Sequence, residues 1–221
     1  MAAMNTKALT STKRRGRDFI ARHGETVFNA AGRLQGDHAH TPLTRTGFAQ
    51  AEEMGAALRA ELGASPRLTL WASPTGRALQ TLAVIAEHLE LDWHAAHTDP
   101  RLVEIGMGNW GGRYYADVAG EVGSIIDREF GLLTPAPDGE PYPAIAARVS
   151  AWLDDTDGDA GDRLVIMHGI SSRVLRGVMT GAPDVPGYGA PAAANLPQGS
   201  VVMIAGGVEH IVHSGRGGLR A

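Results

Sequence analysis

The 221-residue chain has no cysteine. That single absence removes disulfide frameworks, thiolate nucleophiles and cysteine-type zinc sites together, while leaving the compartment open. A basic excess is missing too: the formal net charge is −4. Nucleic acid and anionic membranes both select Lys/Arg-rich surfaces, so neither is expected as a partner and a small-molecule substrate is. No apolar run approaches the roughly 20 residues that span a bilayer, and no apolar centre of a secretory signal precedes Asp18. The Gly-Lys-Ser/Thr of a phosphate-binding Walker loop does not occur.

What is present is an apolar fraction of 43%, enough for one continuous core. The expectation is a single domain over 18–221, preceded by a flexible polar tail over 1–17 with a basic cluster at Lys13, Arg14, Arg15 and Arg17. Within the domain, short β-like runs alternate with helical periodicity. Phe19 to Arg22 and Leu68 to Ala72 read as strands, and each is followed by a helix, over Thr46–Leu62 and from Ala78 to Leu89. Trp93 to His97 reads as a short strand, Gly106 to Gly112 as irregular, and the spacing of Ile145, Val149, Trp152 and Leu153 as a third helix. Leu164 to Met167 is a buried strand, Ile170 to Met179 a helix, and Val201–Ala205 with Val208–Val212 a closing hairpin. This alternation is the form of an α/β domain with a mostly parallel sheet.

His23 and His168 share one context: each ends a strand and each precedes a glycine. In parallel sheets that edge is where ligands bind. One histidine at a strand end is commonplace; two, with Arg22 beside the first and Arg77 in the first turn of the helix after the second strand, are not. Arginine forks suit phosphate oxygens, and a helix amino end favours anions. The competing structural account is that both arginines pair with surface acids. Asp37, His38 and His40 could ligate zinc in principle, though a polar loop explains them; His210 and His213 are three apart on a strand and face opposite ways. Trp110 serves either as a wall of the site or as a buried anchor of its loop.

The run Arg22-His23-Gly24-Glu25-Thr26 with Asn29 resembles the signature of the histidine phosphatase superfamily, the phosphoglycerate mutase-like proteins. The resemblance continues through Arg33-x-Gln35-Gly36, Pro42-Leu43-Thr44, Gln50-Ala51, Ser73 with Arg77, Leu102-x-Glu104 with Gly108, Trp110 and Gly112, Glu140 with Arg148, and Met167-His168-Gly169. It implies a three-layer α/β sandwich, a cytoplasmic phosphomonoester hydrolase, and neither cofactor nor metal. It also implies phosphorylation of His23, a phosphoryl group held by Arg22, Arg77, His168 and the Gly169 backbone with help from Asn29, and Glu104 as the proton donor. A homodimer stays open. Pro141 after Glu140 departs from the usual pattern and leaves the start of the third helix unsettled. Phe28 before Asn29 and the short chain favour the phosphatase branch. A phosphoglycerate mutase-type phosphotransferase is the neighbouring alternative, and a catalytically silent module that binds a phosphorylated ligand is the distant one, although such a binder has no use for Glu104.

Overall fold

The computed structural model describes residues 14–159 and 161–217. The basic tail up to Lys13 lies outside the described residues. Arg14 and Arg17, at its end, are engaged by the domain, ion-paired with Asp18 at 3.3 Å and Asp162 at 2.8 Å respectively.

Six strands form one sheet in the order β3-β2-β4-β1-β5-β6: β1 (Asp18–Arg22), β2 (Leu68–Ala72), β3 (His97–Thr98), β4 (Asp162–Met167), β5 (Val201–Ala205) and β6 (Val208–His213). The four strands from β3 to β1 run parallel, and β5 and β6 close the sheet antiparallel. Both central strands are buried on both faces, as parallel strands covered by helices must be. Phe19, Ala21, Leu164 and Ile166 face α2 (Arg45–Leu62) and α3 (Gly76–Leu89). Ile20, Val165 and Met167 face the other way, into a cluster built on α5 (Tyr142–Asp155) and α6 (Gly169–Thr180). Two-residue alternation along β1 and β4 thus produces the sandwich of helix, sheet and helix.

Two short helices carry little periodicity. The five-residue α1 (Val27–Ala31) is set by a capping box, in which Thr26 N–H donates to Asn29 Oδ1 at 3.1 Å and Asn29 N–H donates to Thr26 Oγ1 at 3.2 Å. In α4 (Tyr115–Val122) only Val118 is buried. The strand expected over Trp93–His97 is instead a 3₁₀ turn at Trp93–Ala95, capped by Asp92, whose carboxylate accepts from His94 N–H; only His97 and Thr98 pair with β2. Trp93 is half-exposed, so that segment has no apolar face to bury. Pro141 proves to be the cap of α5, with Pro143 in the first turn, where a missing N–H costs nothing. No helix among the described residues is long and apolar enough to cross a membrane.

Candidate active site

The register of β1 against β4 pairs Arg22 with Met167. The next residue on each strand is therefore a histidine, and the rings of His23 and His168 meet edge to face with centroids 5.1 Å apart. β2 lies on the far side of β4, and the first turn of α3 after it delivers Arg77 to the same edge. Arg22, His23, Arg77 and His168 are all buried, and Glu104 is 7% exposed. Parallel topology alone collects four of these five groups.

Close backbone packing fixes the loop after His23. A Cβ at Gly24 would lie 2.3 Å from the Gly47 carbonyl oxygen, and one at Gly47 would lie 2.0 Å from that of Glu25. Only two glycines allow the start of α2 to press against the turn. That turn places the Gly24 carbonyl 2.7 Å from His23 Nδ1. A carbonyl only accepts, so Nδ1 carries the proton and Nε2 holds the free lone pair.

Arg77 donates from Nε to His168 Nδ1 (3.1 Å), from Nη1 to the His38 carbonyl (2.6 Å) and Thr41 Oγ1 (2.9 Å), and from Nη2 to the Gly36 carbonyl (2.7 Å). The expectation of two free guanidinium forks around a histidine is thereby narrowed: Arg77 is largely engaged by the protein. Arg22 donates from Nη1 to the Leu196 carbonyl at 2.6 Å. Glu104 is clasped by the amino end of α6, accepting from Ile170 N–H at Oε2 (3.0 Å) and from Ser171 N–H at Oε1 (2.8 Å), with Ile105 N–H also on Oε1 (3.0 Å). At Gly169 a Cβ would come within 3.3 Å of the Arg22 guanidinium and 3.4 Å of Glu104 Oε2, so this residue makes room for the arginine and the carboxylate. Asn29 has its Oδ1 occupied by the α1 cap, where it accepts from Thr26 N–H and Thr26 Oγ1.

Burial lowers both arginines to about 10, against the opposing pull of Glu104, and both remain cationic near neutral pH. Burial, followed by Arg77, drives His23 well below its ordinary 6.5 despite the Gly24 hydrogen bond, and the same two causes act on His168. His168 is therefore neutral and offers an N–H, not the positive charge it would carry if protonated. Stability should follow. Unfolding returns both imidazoles to about 6.5, so below about pH 6.5 the unfolded chain binds more protons than the native one. The contribution is present above that pH and is lost as pH falls toward the depressed native values, by up to about 1.4 kcal/mol per pH unit for each histidine. Urea midpoints measured from about pH 7.5 down to 5 should fall; midpoints that hold level or rise would contradict the assignment.

The remaining sequence candidates separate. Trp110 is buried in the core cluster with Leu34 and Met107 and anchors its loop. Asp37, His38, His40, His210 and His213 form no metal cluster, and among the described residues no three His, Asp or Glu side chains converge as one. His38 packs against Phe28, and His213 lies 3.8 Å from Glu53.

The histidine phosphatase superfamily (branch 1) model matches residues 19–196. The chain belongs to this superfamily. It is 33% identical over 172 residues, 75% of each chain, to the probable phosphoglycerate mutase GpmB of Yersinia enterocolitica. Among solved structures, Bacillus stearothermophilus YhfR superposes with a TM-score of 0.69 at 25% identity, covering 89% of this chain and 95% of its own. A candidate α-ribazole-5′-P phosphatase of Escherichia coli gives 0.68 at 24% identity, covering 92% and 98%, and shares the fold.

In this histidine phosphatase superfamily member, several site contacts leave no trace in side-chain patterns. The carbonyls of Gly36, His38 and Leu196 and the amides of Ile170 and Ser171 are backbone groups of ordinary residues. Thr41, 2% exposed, is a side chain the sequence reading passed over; its place one residue before Pro42-Leu43-Thr44 was the available signal. Arg148, already part of the resemblance, binds Glu140 through Nε at 2.7 Å and Nη2 at 3.0 Å, and Glu140 in turn accepts from Gly106 N–H, which steadies the loop carrying Glu104.

Proposed function

We propose that this chain is a phosphomonoester hydrolase for small phosphorylated metabolites, working through a phosphohistidine at His23. The observation that carries the reading is the Gly24 carbonyl on His23 Nδ1, which leaves Nε2 as a neutral nucleophile between two buried arginines and the His168 ring. Nε2 attacks phosphorus in line, the ester P–O bond breaks, and the departing oxygen takes a proton from Glu104. In the ligand-free site three backbone N–H groups hold the Glu104 side chain at the amino end of α6. Water then attacks the phosphohistidine, returns a proton to Glu104 and releases phosphate. Arg22, the free N–H of Arg77, His168 and the amide of Asn29 hold the phosphoryl oxygens. Such an enzyme of soluble metabolites belongs in the cytoplasm, with a small phosphomonoester rather than nucleic acid or membrane as its partner.

The kinship with probable phosphoglycerate mutases favours a second reading, transfer of the His23 phosphoryl group back to a monophosphoglycerate. Against it stands the segment 181–197, which brings the Leu196 carbonyl to Arg22 yet contains Asp184 as its only charged residue and so offers no cationic side chain for a substrate carboxylate. Products decide. Incubation with a panel of phosphorylated metabolites, phosphoglycerates included, should release inorganic phosphate; an isomerised phosphoglycerate without phosphate release would establish the mutase. The two arginine guanidiniums supply the charge that a metal supplies elsewhere, so turnover should survive EDTA. Loss in EDTA with recovery on Mg²⁺ or Zn²⁺ would overturn that part.

A further inference from the structure

Arg77 is fully buried and has five N–H donors, of which four are already used: one on His168, two on the His38 carbonyl and Thr41, one on Gly36. The three nitrogens of one planar group thus grip a loop and a histidine at once. A lysine has a single nitrogen and cannot do this. On the other side, His168 Nε2 is buried and has no protein partner. A buried polar atom without a protein partner calls for one, and beside the buried arginines a ligand oxygen would supply it.

We propose that Arg77 is a positioning residue for His168: its Nε–H holds Nδ1 as an acceptor, fixes the tautomer with the proton on Nε2, and presents that N–H beside His23. The logic mirrors that of His23 in reverse. The Gly24 carbonyl, an acceptor, puts the His23 proton on Nδ1 and frees Nε2 to attack; the Arg77 guanidinium, a donor, puts the His168 proton on Nε2 and makes that nitrogen a donor. Two neutral imidazoles 5.1 Å apart acquire opposite roles from the two backbone and side-chain groups behind them. In the inverted tautomer, His168 would turn a lone pair toward an anionic phosphoryl oxygen. Losing one preorganised donor to developing charge costs about 10²–10³ in turnover. The use of that N–H on a phosphoryl oxygen rests on the hydrolase reading; the tautomer does not.

Long-range ¹H–¹⁵N correlation spectra of histidine-labelled protein near pH 7 read the tautomer directly, with His168 identified by the signals lost in His168→Gln. Ligand-free wild type should show His168 protonated at Nε2 and bare at Nδ1. Arg77→Met, which removes the donor at similar length, should lose that pattern. A wild-type His168 protonated at Nδ1 overturns the proposal without any variant, and so does an Arg77→Met protein that keeps the Nε2–H form. Adding inorganic phosphate to the wild type is a separate arm: it should shift the Nε2–H signal, and failure to do so would count against the phosphoryl reading of the site while leaving the tautomer result standing.

Discussion

His23→Ala should abolish turnover, with a loss on the order of 10⁶-fold, because a covalent mechanism has no path around a missing nucleophile. His168 cannot substitute. Its Nδ1 accepts from Arg77 and its Nε2 then carries the proton, so neither nitrogen has a lone pair for phosphorus. The variant should stay folded, since His23 makes one hydrogen bond to the protein through its side chain, to the adjacent Gly24 carbonyl, and leaving that group unpaired costs about 1–3 kcal/mol. Turnover assays paired with urea unfolding separate the two effects. A folded His23→Ala protein with near-normal turnover would remove the nucleophile from the account.

Glu104→Gln carries the second large effect, and its size should depend on the leaving group. An alkyl phosphate departs as a strongly basic alkoxide that needs a proton in the transition state, whereas an aryl phosphate with an electron-withdrawing ring departs as a stable phenolate. Loss of a general acid should therefore slow release of the alcohol by about 10²–10⁴ and release of the phenol far less. Single-turnover measurements with enzyme in excess are required, because in the proposed mechanism the same residue activates water in the second step and would mask the difference in steady state. The substitution has a structural side as well. Glutamine keeps one acceptor oxygen, so its NH₂ must face either Ile170 N–H or the pair from Ile105 and Ser171. That clash of donors at the start of α6 costs about 1–3 kcal/mol and should appear as a lower urea midpoint. Equal slowing of both esters would mean that Glu104 serves the site by holding α6, and that the proton comes from elsewhere.

The sequence disclosed the parts of this molecule that side-chain chemistry and period carry. β1, β2 and β4 are short apolar runs, and α2, α3 and α6 have clear apolar faces, so their order already implies a parallel sheet and places His23, His168 and Arg77 at one edge. The resemblance then supplied Glu104, whose loop has no periodicity to place it. Less legible were elements held by caps and backbone contacts. The 3₁₀ turn at Trp93–Ala95 depends on the Asp92 cap, α1 on the reciprocal bonds of Thr26 and Asn29, and α4 buries a single side chain. The engagement of Arg77 was hidden for a related reason: three of its four bonds go to the loop from Gly36 to Thr41, two of them to main-chain oxygens, and arginine in a phosphate-binding motif reads as a free fork until those acceptors are seen.

Direct capture of the intermediate tests the central claim most closely. Enzyme mixed with a ³²P-labelled phosphomonoester and quenched in base within a single turnover should hold covalent label that survives alkali and is lost in acid, as a phosphoramidate is. Peptide mapping should place it on His23, and His23→Ala should carry none. Phosphate release in step with substrate consumption and no labelled protein at any time, or label recovered on a residue other than His23, would contradict the account.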